Sequence, residues 1–259
     1  LYKKVKDLID SGDLGEMTRV IWIVTDWYRS QSYYDQGGWR ATWDGEGGGV
    51  LLNQNPHNLD LWQWMCGIPK RVKSQVYYGK HRNIEVEDDL YALVEYENGA
   101  TGCYITSVGD APGTNRLEID GTNGKIVVEN NELTFYRLRI PEPEFNATYK
   151  GGLGKPEVWE CKIPIKGTYT SHPGIINNFC DCILKGAKPI APRRRGHPRL
   201  ADLQRYSSFQ LAERRMGQHP PWTGNCSLKN CRSIARNRSQ NNSCPQQKLS
   251  RRNGVYKRG

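Results

Sequence analysis

Asn53 and His57 stand four apart within residues 50–65, a run that Leu51, Leu52, Leu59, Leu61, Trp62 and Met65 make apolar around much of its girth. The run reads as a buried helix, bent locally at Pro56. Spacing of four puts both side chains on one helix face, one turn apart. A histidine is well placed to exchange a proton near neutral pH, and a neighbouring amide can hydrogen-bond a substrate or orient the ring. Gln54, Asn55, Asn58 and Asp60 crowd the same stretch. Buried polar groups need partners, and such a set lines a cavity more readily than a core. Two readings stay open for His57: a satisfied structural histidine, or a proton acceptor.

Other constellations carry less. His57 and Asp60 have ligand types at i and i+3 but no third ligand at a telling distance, and Cys180-x-Cys182 is an isolated pair, so no metal site is expected. Asp88 and Asp89 read as a turn before a strand, and His81 and His172 as surface residues. No Gly-x-Ser-x-Gly elbow supports a serine nucleophile. No Gly-x-Gly-x-x-Gly or Walker-type loop follows a strand, so no dinucleotide or nucleotide-triphosphate domain is expected within this chain. Residues 29–47 have no clean period and are crowded with Tyr33, Tyr34, Trp39 and Trp43 between Gly37-Gly38 and Gly47-Gly48-Gly49. This is either a ligand-contacting loop or one packed over the core by its aromatics.

The elements that must position these residues follow from periodicity. Residues 2–12 read as an amphipathic helix with Val5, Leu8 and Ile9 on one stripe, stopped by Gly12. Residues 17–27 read as a long strand. After Gly67 and Pro69 the period falls to two, with short strands over 72–78, 90–96, 100–108, 116–120, 125–128, 133–138 and 158–163. Asn98-Gly99, Asn123-Gly124 and Asn130-Asn131 mark tight turns between them. Residues 172–184 read as a last helix. The fold class is therefore α+β: a largely antiparallel open sheet with helices on one face. That open face is a natural surface for a homo-oligomer, with Val127, Leu133, Phe135 and Tyr136 as apolar contacts.

Composition bounds the rest. The chain has 259 residues and a formal net charge of +10, but residues 193–259 hold 16 Lys+Arg against 2 Asp+Glu. The earlier part therefore has the mildly acidic balance of an ordinary domain, and the last quarter lacks a sustained helical or strand period. Residues 193–200 and 204–211 can each be back-translated so that a frame one base later encodes a sensible helical stretch. A frameshift near Pro192 is the expectation, with a real polyanion-binding extension as the alternative. Aromatic stacking platforms are not interleaved with the basic residues, which argues against nucleic acid. No apolar run approaches the roughly 18 residues of a membrane span. Eight cysteines without framework spacing point to a reducing cytoplasm. The first residue is Leu and no leader follows it, so the chain is expected to begin within a longer one.

The run Gly47-Gly48-Gly49-Val50-Leu51-Leu52-Asn53-Gln54-Asn55-Pro56-His57-Asn58-Leu59-Asp60-Leu61-Trp62 resembles the signature helix of the Gfo/Idh/MocA family of NAD(P)-dependent oxidoreductases. Residues 8–16 resemble the junction leaving that family's Rossmann domain, Gly38-Trp39-Arg40 a substrate-side loop, and residues 113–119 with 121–124 a sheet hairpin. The resemblance implies that residues 1–16 are a remnant of the junction helix, that 17–192 form an α+β substrate and oligomerisation domain, and that 193–259 are a basic tail. It implies a sugar or cyclitol hydroxyl as substrate, with His57 matching the histidine that accepts its proton. Asn53 takes a position often held by Asp; an amide cannot supply a carboxylate's charge. NAD or NADP is implied for the full-length parent and not for this fragment, which is expected to be inactive alone. Arg29, Trp39 and Arg40 are placed near the substrate. Tryptophan offers a flat apolar face, and arginine parallel hydrogen bonds; pairing of Arg40 with Asp44 is the alternative. A non-catalytic sugar-binding or scaffold protein of the same fold is the rival reading.

Overall fold

The computed structural model describes residues 1–165 and 171–190. The basic tail and the frameshift expected near Pro192 lie outside the described residues.

Helix α1 (Tyr2–Asp10) buries Val5 and half-buries Leu8 and Ile9, so the sequence stripe faces the core. Strand β1 (Met17–Val24) follows; Val20, Trp22 and Val24 are buried while Ile21 and Ile23 are half-buried. The short helix α2 (Gln31–Asp35) interrupts the aromatic loop, its first turn capped by the Ser30 side chain. Then come α3 (Pro56–Cys66), β2 (Arg71–Tyr78), β3 (Glu87–Glu95), β4 (Thr101–Ser107), β5 (Asn115–Gly121), β6 (Gly124–Glu129), β7 (Glu132–Leu138), α4 (Glu142–Thr148), β8 (Val158–Ile163) and α5 (Ser171–Lys185).

The eight strands form one open sheet in the order β2-β3-β4-β1-β5-β6-β7-β8. β1 and β4 run parallel, and the other neighbours are antiparallel. α1 and α3 cover one face. There Trp22 lies 5.5 Å from Tyr2 and 6.5 Å from Trp62, ring centre to ring centre. With Leu51, Leu59, Met65 and Tyr104 these rings make the main core, the dominant favourable term in folding.

The structure corrects the sequence reading at residues 50–65 and on the open sheet face. Residues 50–65 are not one helix: the chain turns through 50–54, and α3 begins at Pro56. Proline suits the first helical position, where its missing N–H would have no partner, so it starts this helix instead of bending it. Leu133 and Phe135 belong to the covered face, in the core opposite Val128 and Ile126. Register places Val127, opposite Thr134, and Tyr136, opposite Lys125, on the other face.

Candidate functional site

The C-terminal ends of β1, β2 and β4 and the N-terminal ends of β3 and β5 meet at one end of the sheet, as the pairing directions require. Residues 25–57 and 79–85, joined to those strand ends, carry every candidate side chain.

Two buried carboxylates fix this end. Glu87, 2% exposed, accepts the N–H groups of Gly49 (2.9 Å) and Leu51 (3.2 Å) through Oε1. The Val50 N–H reaches the Glu87 carbonyl at 2.9 Å, and a Cβ on Gly49 would lie 1.9 Å from that oxygen. Only glycine fits there. Burial raises the Glu87 pKa above the ordinary carboxylate value, against the pull of its backbone hydrogen bonds. Asp88 accepts three successive backbone N–H groups, from Lys80 (3.0 Å), His81 (2.7 Å) and Arg82 (3.0 Å), and so shapes the 79–83 loop.

Asp88 and Asp89 therefore lie buried in β3 and are not a turn. Nor is His81 a bare surface residue: its Nε2 lies 2.8 Å from Asp89 Oδ2, which also accepts from Lys80 Nζ at 2.7 Å. That hydrogen bond raises the Lys80 pKa and keeps the ammonium charged.

The glycine turn delivers Asn53 and then His57. Asn53 precedes α3, its N–H bonded to the Gly49 carbonyl at 2.9 Å, so the two side chains do not share a helix face. The Asn53 amide donates to Glu46 Oε1, while Glu46 Oε2 accepts the Ala41 N–H at 2.9 Å. His57 sits exposed on the first turn of α3, and among the described residues nothing hydrogen-bonds its imidazole. Of the buried polar set, Asn55 is satisfied within the core, while Gln54 keeps its Oε1 buried without a partner among the described residues. Asn55 donates to Thr106 and accepts from the Tyr104 hydroxyl at 3.2 Å, anchoring the start of α3 to β4. Asp60 is exposed.

Arg29, Trp39 and Arg40 do come together, around Tyr33 of the same aromatic loop. The Arg40 guanidinium lies 4.7 Å from the Tyr33 ring centre and 4.7 Å from that of Trp39; Arg29 lies 5.1 Å from Tyr33. Arg40 also donates to the Tyr33 hydroxyl at 2.8 Å, so its partner is not Asp44. Tyr34 meets Tyr33 edge-on at 5.0 Å, and burial raises its pKa so that it stays a neutral phenol. Arg82 completes the cluster: its Nε donates to the Arg29 carbonyl at 2.5 Å, with its guanidinium 5.1 Å from the Tyr28 ring.

Among the described residues no group of His, Cys, Asp and Glu can hold a metal ion, and no helix is long and apolar enough to cross a membrane. The turn at Gly47-Gly48-Gly49 does not fit a dinucleotide pyrophosphate, because the Glu87 carboxylate already takes the Gly49 N–H.

Residues 2–127 match the family model described as GFO/IDH/MocA C-terminal domain. Among solved structures, the WlbA dehydrogenase from Bordetella pertussis in complex with NADH and UDP-GlcNAcA is 24% identical at a TM-score of 0.60, over 78% of this chain and 55% of that one. The WlbA enzyme from Chromobacterium violaceum, with the same two ligands, is 25% identical at 0.62, over 86% of this chain and 60% of that one. Levoglucosan dehydrogenase with NADH and levoglucosan is 18% identical at 0.61, over 81% of this chain and 60% of that one. The chain thus spans little more than half the length of the structures it resembles. No curated protein matches it.

Proposed function

Because the chain carries a Gfo/Idh/MocA C-terminal domain, we propose that it is the substrate-binding and proton-accepting part of an NAD(P)-dependent oxidoreductase acting on a sugar or cyclitol hydroxyl. The observation that carries this reading is His57. It stands exposed and unbonded among the described residues, at the end of a turn that Glu87 fixes from beneath.

One ring nitrogen of His57 takes the hydroxyl proton. Asn53, held by Glu46, offers its amide oxygen to the substrate. Trp39 lies flat against the sugar ring, and Arg29 and Arg40 donate hydrogen bonds to its oxygens. NAD(P), when bound in such an enzyme, accepts the hydride. The expected compartment is the reducing cytoplasm, where Cys66, Cys103 and Cys161 stay thiols.

Two measurements test the reading. Titration of the 259-residue chain with NADH should give no calorimetric signal, and micromolar binding would contradict the assignment of the dinucleotide site elsewhere. Joined to a dinucleotide-binding domain of the family, the chain should support NAD(P) reduction with at least one member of a sugar and cyclitol panel. Asn53, an amide tied to Glu46, favours one rival: a sugar-binding protein that does no chemistry. Saturable sugar binding without turnover in that joined protein would select it.

A further inference from the structure

Resting on the sugar-site reading above, we propose that the Arg29–Tyr33–Arg40 cluster is an anion-binding subsite. The substrate taken there carries an anionic oxygen group, a carboxylate or a phosphate, as well as the hydroxyl that faces His57.

The first observation is an imbalance of charge partners. Elsewhere Arg71, Arg116 and Arg139 each pair with a glutamate, while Arg19 and Arg137 stand singly on the sheet without an ion pair among the described residues. Arg29, Arg40 and Arg82 gather at the site end, and none of them has a carboxylate within ion-pair distance among the described residues. Most of the acids there are already engaged, and Asp44, exposed in the same loop, pairs with neither Arg29 nor Arg40. Glu46 holds Asn53 and the Ala41 N–H; Glu85 accepts from the Trp43 N–H at 3.2 Å. Glu87 and Asp88 bind five backbone N–H groups between them, and Asp89 holds Lys80 and His81.

The second observation is the geometry of the two guanidiniums. Both lie within 5.1 Å of one phenol ring, which attracts each cation. A guanidinium has about five N–H donors. Arg40 uses one on the Tyr33 hydroxyl, and Arg29 one on the Tyr28 carbonyl at 2.8 Å. The Nε of Arg29 and the indole Nε1 of Trp27, its stacking partner at 5.5 Å, are sealed from solvent with no acceptor. The fold thus sets two cations on one ring and leaves most of their donors without a protein acceptor among the described residues. An anion that reaches these guanidiniums supplies both the missing counter-charge and the missing acceptors. Trp39, exposed beside Arg40, leaves an apolar face for the sugar ring that carries the anion.

The experiment is calorimetry on the full 259-residue chain at fixed ionic strength with glucose, glucuronate, UDP-glucose and UDP-glucuronate. The anionic ligands should bind at least about tenfold tighter than glucose, the scale of one charge-assisted contact. Arg40→Gln should remove that preference and Arg40→Lys keep part of it, since lysine retains the charge without the planar fork. A preference that follows the uronate places the carboxylate at the cluster; one that follows UDP places the phosphate there. Equal affinity for all four, or a preference unchanged in both Arg40→Gln and Arg29→Gln, overturns the anion subsite and leaves the sugar reading intact. Absence of binding by all four overturns both.

Discussion

Two regions of the molecule use arginine in opposite ways. On the open face of β5 and β6, Arg116 contacts Glu118 (2.7 Å) and Glu129, while Lys125 contacts Glu118 (3.2 Å) and Asp120 (3.3 Å). Partial burial pushes the Glu118 carboxyl up, but its hydrogen bonds to Arg116 and Lys125 win and hold it below the usual range. At the site end Glu87 and Asp88 go to backbone N–H groups and Arg29 and Arg40 to aromatic rings, while Asp89 pairs with Lys80 and His81. Where a sheet needs only register, opposite charges on adjacent strands neutralise each other. Where loops leave the strand ends, Glu87 and Asp88 shape backbone while Arg29, Arg40 and Arg82 keep no carboxylate partner among the described residues. If that contrast separates frame from function, substitutions should act on turnover or on loop shape at the site end and do little on the open face.

The largest expected effect is on turnover. In a protein completed with a dinucleotide-binding domain, His57→Ala should lower kcat by roughly 10²–10⁴, the usual range for a positioned general base. An unchanged kcat would give His57 a structural role and remove the distinction between the two regions.

Next comes Glu87, on which the glycine turn rests. Glu87→Ala leaves the Gly49 and Leu51 N–H groups buried without an acceptor and should cost about 2–6 kcal/mol of unfolding free energy, at about 1–3 per orphaned group. Glu87→Gln keeps an oxygen for both donors and should cost far less. The native pKa is raised, so the native state holds its proton more tightly than the unfolded chain. The stability this confers is complete below the unfolded value, about 4.3, and is lost as pH rises through the native one. Chemical denaturation over that window should show the wild-type protein falling relative to Glu87→Gln as pH increases. Parallel profiles for the two proteins would contradict it.

A smaller effect is expected at Asn53. Aspartate there, the residue often found in the family this run resembles, would set a second carboxylate against Glu46 Oε1. Asn53→Asp alone should destabilise by about 1 kcal/mol through that like-charge contact in a half-buried site. Adding Glu46→Gln should restore most of it, because the bond then runs from the glutamine amide to the aspartate. Additive effects in the double-mutant cycle would mean that the two side chains do not sense each other.

The frame was legible because a sheet edge repeats every two residues. Met17–Val24 and Leu133–Leu138 declare themselves by β-branched and aromatic alternation, and Asn98-Gly99 and Asn123-Gly124 by turn chemistry. The site was legible in part. His57, Arg29, Trp39 and Arg40 stand out by type and by the run they belong to. The hidden part lies in bonds between distant segments. The leucines at 51 and 52 continue the apolar pattern of α3 backwards, so Pro56 looked like a break inside a helix when it is the start. Glu87 and Asp88 follow Glu85 and precede Asp89 in a string of acids that reads as exposed. They are buried because two loops present five N–H groups that the sheet cannot satisfy. Four acids leading directly into the apolar strand Leu90–Val94 were the available signal. The Glu46–Asn53 bond spans seven residues of aperiodic loop, and no local pattern announces it.

The smallest effect belongs to the open face. Arg116 touches two glutamates, yet its side chain is 35% exposed and that of Glu129 is 38% exposed. Water and salt screen such pairs, and ordering a long side chain offsets part of the attraction. Arg116→Ala should therefore cost no more than about 1 kcal/mol in denaturant titrations at physiological salt, shrinking further at 1 M NaCl, with sugar affinity unchanged. A loss of several kcal/mol, or of sugar binding, would mean that the ladder across β5 and β6 is coupled to the site, and that its paired charges and the unpaired ones at the sheet's end belong to a single network.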